Sequence, residues 1–226
     1  MSRIPELTIQ EDSMGKISVI IRNKNEQDFI GFAIQSVIDN FDDPEIIVVD
    51  NNSTDDSLGI INMFRAHHNI KILNIGKYSP GASLNLGIKN CNNKVILILS
   101  AHSQITKMDL DMVKEKLKNN VAIFGKQIPI YRGKKINRRY IWSHFGDKEE
   151  TNMVSEIENR PFLHNAFCFY RKDILESFPF DESYSTKEDR YWAIDILEKG
   201  YEYYYSPDLE VNHYWTPNGA TWKGIG

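Results

Sequence analysis

Two adjacent acidic residues, Glu188 and Asp189, are candidates for acid–base chemistry because they open a helix predicted over 188–199. The partial positive charge at a helix N-terminus stabilises the ionised form of a nearby carboxyl group. An ionised carboxylate is what a general base requires. The alternative is that both acids only begin the helix, since acidic residues favour that position in any case.

Polar side chains also follow two predicted strands at their carboxyl ends: Asn25 and Glu26 after the first, and Asp50, Asn51 and Asn52 after the second. In a parallel sheet these loops open at one edge, where ligands bind. Carboxylates and amides at that edge can read a nucleobase or the hydroxyls of a ribose. The alternatives are helix capping by Ser53 or Thr54 in the second loop and an ordinary surface loop after the first strand.

The elements that must position these residues alternate between strands and helices. Short, nearly continuous apolar runs predict strands over 17–21, 45–49, 70–75 and 95–99, and apolar residues at three- and four-residue steps predict helices between them. This alternation predicts an α/β fold with a mostly parallel central sheet and helices on both faces. Asn85 lies in the third of these helices, where a polar residue on a solvated face is the alternative to a binding role.

The chain after Ser100 is less regular and richer in aromatic and charged residues. We predict helices over 109–117 and 172–177, strands over 121–124, 166–170 and 203–205, and an irregular region over 128–158. The irregular region holds a basic cluster that suits either an anionic partner, such as a phosphate or a membrane surface, or a solvated loop. Its members are Arg132, Lys134, Lys135, Arg138 and Arg139.

Composition excludes several classes of protein. The 226 residues are 41% hydrophobic, enough for one substantial core, and the net charge of −4 gives no overall attraction to nucleic acid. Cys91 and Cys168 lie far apart, without the spacing of a zinc or redox motif. Residues 1–16 form a polar leader without a signal-peptide core, and no apolar run reaches the ~18 residues of a membrane span. We therefore expect a cytoplasmic protein.

Five segments together resemble the family 2 glycosyltransferases, and they occur in the family's order over about 17–214. They are Ser18 to Glu26, Ile46 to Asp55, Ser83 to Gly87, Glu188-Asp189 and Val211 to His213. The pattern is most similar to bacterial rhamnosyltransferase-like members that build surface polysaccharides such as capsule or O-antigen. The resemblance implies a Rossmann-like GT-A fold over 17–226, with a nucleotide-sugar-binding half (17–103) and an acceptor-binding half (104–226).

The resemblance implies an inverting, hexosyltransferase-type enzyme that moves a sugar from a nucleotide-sugar donor to a hydroxyl of a glycan or lipid-linked acceptor. Asp189 would be the catalytic base, supported by Glu188. Such an enzyme would work in the cytoplasm, either free or associated peripherally with the inner face of the membrane. The donor would be bound by Arg22, Asn25, Glu26, Asp50, Asn51, Asn52, Asn85, Ser100, Ala101 and His102.

One segment departs from the family pattern: Ser100-Ala101-His102 stands where the family usually has an Asp-x-Asp type motif. A carboxylate of that motif ligates a divalent cation, which neutralises the leaving diphosphate. Serine and histidine bind Mg²⁺ poorly, whereas histidine binds Mn²⁺ or donates directly to a phosphate. We therefore expect a divalent cation, Mn²⁺ or Mg²⁺, at His102 and His213, or else two histidines that belong to an aromatic core.

Two other functions are alternatives. A sugar nucleotidyltransferase typically has a glycine-rich basic loop after the first strand, and residues 22–26 contain no glycine. A non-catalytic module that binds sugar nucleotides would account for the altered segment at 100–102. The sugar, the nucleotide, the acceptor and the oligomeric state are left open by these patterns.

Overall fold

The computed structural model describes residues 16–136, 140–155, 158–217 and 219. Its strands are β1 (Ile17–Asn23), β2 (Glu45–Asp50), β3 (Ile70–Asn74), β4 (Val95–Ser100), β5 (Ser103–Lys107), β6 (Ala122–Tyr131), β7 (Lys134–Lys135), β8 (Glu150–Thr151), β9 (Val154–Ser155), β10 (Arg160–Pro161), β11 (Phe167–Arg171) and β12 (Tyr203–Tyr214). Its helices are α1 (Ile30–Asn40), α2 (Ser57–Arg65), α3 (Pro80–Lys89), α4 (Leu110–Lys116), α5 (Lys172–Ser177) and α6 (Glu188–Glu198), with a 3-10 helix at Tyr140–His144.

Ten strands form one sheet, in which eight follow the order β3-β2-β1-β4-β11-β6-β12-β5, while β7 pairs with β6 and β8 pairs with β12. The strands β1 to β4 are parallel, and so are β6 and β12, while β11 and β5 are antiparallel to their neighbours. The sheet is therefore mostly parallel, as the alternation predicts. The register sets Arg22 beside Ser100 and Asn23 beside Asp50, so the carboxyl ends of β1, β2 and β4 lie level with one another.

Helices cover both faces of the sheet because successive strand residues point to opposite sides. Ile20 joins one buried cluster with residues of α3 and α6, whereas Val19 and Ile21 join a second cluster with residues of α1, α2 and α4. Both cysteines are buried and free. Within the described residues, no helix is long and apolar enough to cross a bilayer.

The second half differs from the prediction in the extent of its strands. β12 continues to Tyr214, far beyond the predicted end at 205, because a register shift between Ser206 and Glu210 absorbs Pro207. β5 was not predicted, and β6 extends to Tyr131 through Pro129. Proline within a run lowers its strand signal, which is why the sequence pattern predicts shorter strands in both places.

Candidate active site

A cavity of about 860 Å³ opens at the carboxyl ends of β1 and β4. Its lining includes Arg22 at the end of β1 and Glu26 just after it, and Ser100 at the end of β4 with Ala101 and His102 just after it. Glu188 and Asp189, at the start of α6, line the other side of the same cavity. The cavity therefore joins the two halves of the chain, as open parallel sheets do at this edge.

The carboxylate of Asp189 is buried, with 7% of the residue exposed. Its Oδ1 accepts the backbone N–H of Arg190 at 2.8 Å, and its Oδ2 accepts the backbone N–H of Asn165 at 3.0 Å. Burial raises the pKa of Asp189, although these two N–H groups and the nearby guanidinium groups act against that rise. Each carboxylate oxygen keeps lone-pair capacity for a substrate proton.

Glu188 pairs with Arg22 across the cavity, with 2.8 Å between Oε1 and Nη1. Glu188 is only 5% exposed, so this ion pair is largely shielded from water. The pair links the end of β1 to the start of α6, and its two residues lie 166 positions apart in the chain. It fixes the helix that carries Asp189 relative to the strands of the first half.

A second charged cluster surrounds Glu158. Its Oε2 accepts from Arg190 Nη1 at 2.5 Å and also pairs with Arg160, while Lys187 Nζ lies 4.0 Å from Oε1. Burial alone would raise the pKa of Glu158, but the three cations outweigh it and the pKa is lowered. Since one carboxylate faces three cations, this part of the cavity favours an anionic ligand.

The two histidines expected to hold a metal do lie together, with ring centroids 4.7 Å apart. His102 Nδ1 is 3.2 Å from Glu26 Oε1, which also accepts from Thr216 Oγ1 at 3.1 Å. Burial, followed by His102 and His164, holds the pKa of His213 well below its usual value.

Across the residues that the structure describes, no group of three or more His, Cys, Asp and Glu side chains is arranged to hold a metal ion. The end of β4 supplies no carboxylate, and Glu26 uses one oxygen on His102 and Thr216. The described residues thus present no ready set of ligands for the expected divalent cation, and the metal role of His102 and His213 stays a prediction.

The loop residues predicted to bind the donor after β2 lie beside the cavity but outside its lining. Both carboxylate oxygens of Asp50 are engaged, since Oδ1 accepts from Asn23 and Ser53 and Oδ2 accepts the backbone N–H of Ser53. The backbone carbonyl of Asn52 accepts from Lys24, and the backbone N–H of Asn51 donates to the carbonyl of Asn23. These residues tie the two loops together, and Asn23 and Lys24 line the cavity from this corner.

Two more residues are placed differently from the prediction. Asn25 has a left-handed backbone (φ 53°), and its Oδ1 accepts the backbone N–H of Thr54 at 2.7 Å, outside the cavity. Asn85 points to the loop after α5, where its Nδ2 donates to the carbonyl of Phe180 at 2.8 Å and its Oδ1 accepts the N–H of Phe180 at 3.1 Å. Both amide groups of Asn85 thus hold that loop, and Asn85 is not among the residues that line the cavity.

Several cavity residues were not predicted from the sequence: Tyr78, Trp142, Glu158, His164, Asn165 and Arg190. A signal for two of them was available, because the polar pair His164-Asn165 stands directly before the apolar strand β11. Glu158 had no comparable signal, since it lies in a region without periodicity. Arg138 and Arg139 of the basic cluster lie outside the described residues, while Arg132, Lys134 and Lys135 are exposed around β7.

Comparison with known sequences matches residues 18–178 to the family described as glycosyl transferase family 2. The O-antigen chain rhamnosyltransferase WbaN of Salmonella anatum is 22% identical over 178 residues, which cover 75% of this chain and 56% of that protein. A GalNAc(5)-diNAcBac-PP-undecaprenol beta-1,3-glucosyltransferase of Campylobacter jejuni is 28% identical over 198 residues, covering 83% of this chain and 62% of its own length. The chain thus spans a little over half the length of these relatives.

Solved structures share the fold. TarS 1-349 of S. aureus in complex with UDP-GlcNAc superposes with a TM-score of 0.65 at 19% identity, over 92% of this chain and 61% of that one. The mannosyltransferase PcManGT of Pyrobaculum calidifontis, in complex with GDP-Man and Mn²⁺, superposes with a TM-score of 0.66 at 16% identity. The match covers 90% of this chain and 58% of that one. These likenesses confirm the predicted α/β fold of GT-A type.

Proposed function

The chain belongs to glycosyl transferase family 2, and from this membership we propose that it transfers a sugar from a nucleotide-sugar donor to a hydroxyl of a glycan or lipid-linked acceptor. One observation carries the proposal: Asp189 shares a single cavity with the residues that follow β1 and β4. A base on one side and donor-binding loops on the other are what a direct displacement requires.

In the proposed reaction, Asp189 takes the proton of the acceptor hydroxyl as that oxygen forms a bond to the anomeric carbon. The bond between the anomeric carbon and the diphosphate oxygen breaks, and the nucleoside diphosphate leaves with the electron pair. Attack from the face opposite the leaving group inverts the configuration at this carbon. The raised pKa of Asp189 makes its carboxylate a better proton acceptor than a solvated aspartate.

The donor in this proposal lies against β1 and β4, in contact with Arg22, Glu26 and the segment 100–102 that line the cavity. The cations around Glu158 offer the charge that a departing diphosphate needs. We derive no step through a divalent cation, because the described side chains at the end of β4 do not form a set of metal ligands. Electrostatic stabilisation is instead assigned to the chain's own basic residues.

We base the proposed class of acceptor on the names of the relatives. The Salmonella relative is named for the O-antigen chain, and the Campylobacter relative for an undecaprenol-linked glycan. We therefore place this chain in the synthesis of a bacterial surface polysaccharide, in the cytoplasm or at the inner face of the membrane. The exposed basic residues Arg132, Lys134 and Lys135 suit contact with an anionic lipid surface.

The test of the proposed function is Asp189→Asn, with Asp195→Asn as the matched control because Asp195 is exposed on the same helix. A panel of UDP-, GDP- and dTDP-sugars is first screened by thermal shift, since a ligand that binds the native state raises its apparent stability. With the donor so found, Asp189→Asn should keep donor binding and lose about 10²- to 10⁴-fold in turnover, whereas Asp195→Asn should turn over normally.

Near-normal transfer by a folded Asp189→Asn variant would exclude Asp189 as the base. Release of pyrophosphate in place of a nucleoside diphosphate would instead indicate a nucleotidyltransferase. A wild-type protein that binds a sugar nucleotide without consuming it would be a binding module.

A further inference from the structure

The side-chain nitrogen of Asn165 is a buried donor whose partner is missing. Asn165 is 2% exposed and lines the cavity, yet its Nδ2 has no hydrogen-bond partner among the residues that the structure describes. An unpaired amide N–H in such a place is costly, and native proteins rarely keep one without a reason. A ligand that accepts a hydrogen bond in the cavity would supply that reason.

The amide of Asn165 is held firmly in one orientation. Its Oδ1 accepts from the hydroxyl of Tyr170 at 2.6 Å. Tyr170 is fully buried, and its ring meets the ring of Trp192 edge-on with centroids 5.1 Å apart. With the oxygen accepting from Tyr170, the nitrogen is the part of the amide without a partner, in a residue that lines the cavity.

The backbone of Asn165 also contacts the proposed base, because its N–H donates to Asp189 Oδ2 at 3.0 Å. One short segment therefore carries a hydrogen-bond donor and orients an adjacent acceptor, the side chain of Asp189. Two neighbouring hydroxyls of a sugar match this pair, since one can donate to Asp189 while the other accepts from Asn165.

We propose that Asn165 binds the acceptor, donating from Nδ2 to a hydroxyl adjacent to the one that Asp189 deprotonates, so that the acceptor is a sugar carrying a vicinal diol. This inference rests on the proposed function and extends it to the substrate class of the acceptor. Asn165 becomes a specificity residue, because an acceptor without the second hydroxyl leaves the buried donor unpaired.

The experiment pairs enzyme variants with acceptor analogues. Methyl glycosides of rhamnose, mannose, galactose and glucose are offered with UDP-, GDP- and dTDP-sugars, and each accepted glycoside is then compared with its monodeoxy analogues. We expect one deoxy position to lower kcat/KM of the wild type by about 10- to 100-fold. Asn165→Ala should lose a similar factor on the parent glycoside and little more on that deoxy analogue, because the two changes remove the same hydrogen bond.

Asn120→Ala is the control, since Asn120 is a buried asparagine outside the cavity lining, and it should keep the wild-type response to every analogue. If Asn165→Ala does not fold, Asn165→Leu is close to asparagine in shape, removes the donor and adds no charge beside Asp189. That variant should show the same selective loss.

The possible outcomes distinguish failure of this inference from failure of the proposed function. Independent, multiplying losses from Asn165→Ala and from every deoxy change would overturn the inference and leave the transferase intact. So would a wild type that consumes a nucleotide sugar but accepts no glycoside in the panel. A wild type that consumes no nucleotide sugar at all would overturn the proposed function, and the inference with it.

Discussion

At the scale of single residues, the start of α6 governs the ionisation of Asp189. Lys187 adopts a left-handed backbone (φ 64°) immediately before the helix, which turns the chain so that Asp189 enters the cavity. Burial raises the pKa of this carboxyl group, while two backbone N–H groups keep its ionised form bound in place. A proposed base of this kind is more basic than an exposed aspartate.

This environment predicts the acid limb of the pH profile. The proposed base must be ionised, so kcat/KM should fall as the pH drops through a value above the ordinary aspartate pKa of 3.8. The measurement is the initial rate of transfer from pH 3.5 to 8, with circular dichroism to restrict the fit to the folded range. Asp195→Asn should share the wild-type limb, and a limb at or below 3.8 would contradict the assignment.

Part of the candidate site could be predicted from single residues of the sequence. Glu188 and Asp189 are recognisable as acids at the start of a predicted helix, and both line the cavity together with Arg22 and His102. Asn165 could not be recognised in the same way, because its significance is an unpaired nitrogen that only three-dimensional packing creates. The placement of Asn85 could not be predicted for the same reason, since a helix pattern does not reveal which neighbouring loop an amide will hold.

At the scale of elements, α3 approaches β1 so closely that only glycine fits at one position. A Cβ added at Gly87 would lie 2.7 Å from Cγ2 and 3.1 Å from Cδ1 of Ile20. Ile20 is fully buried in the middle of β1, so it has little room to move. This contact sets the distance between a helix and the strand that ends at the cavity.

Gly87→Ala should therefore destabilise the protein by about 1–3 kcal/mol through overpacking, despite the helix propensity of alanine. The matched control is Gly31→Ala in α1, where the nearest atom to an added Cβ is Ile60 Cγ2 at 3.5 Å, an ordinary contact. That change should be neutral or stabilising by up to about 1 kcal/mol. Urea unfolding of the two variants measures the difference, and equal free energies of unfolding would refute the packing argument.

The elements of the first half could be predicted because each strand there is a compact apolar run between clear polar boundaries. The second half was harder for a physical reason. β12 owes its length to pairing with β6, β5 and β8, and a register shift lets Pro207 interrupt the run without ending the strand. Such pairing is a tertiary effect that overrides the local pattern.

At the scale of the whole molecule, the buried side chains of His164 and His213 favour the neutral form. Burial is the main cause of both lowered pKa values: that of His164 falls to about 3, and that of His213 lies well below 6.5. The backbone N–H of Ala166 donates to His164 Nδ1, which also requires that nitrogen to be unprotonated. In the unfolded chain both imidazoles would take up a proton near pH 6.5.

Because the folded-state pKa values are depressed, the stability they contribute is present above pH 6.5 and is lost as the pH falls from there towards about 3. Each histidine that stays neutral in the fold should remove about 1.4 kcal/mol of stability per pH unit within this window. His213→Gln should flatten the fall of Tm between pH 6.5 and 4, whereas the exposed His68→Gln should follow the wild type. Parallel curves for all three proteins would show that His213 is protonated in the fold.

The carboxylate of Glu158 has a consequence for how anions enter the cavity. It already sits among Arg160, Lys187 and Arg190 as an internal counter-ion, so an incoming phosphate must take over contacts that the protein itself supplies. Binding there is an exchange of one anion for another. Simple salts compete poorly in such an exchange, and a ligand carrying two linked charges gains the most from it.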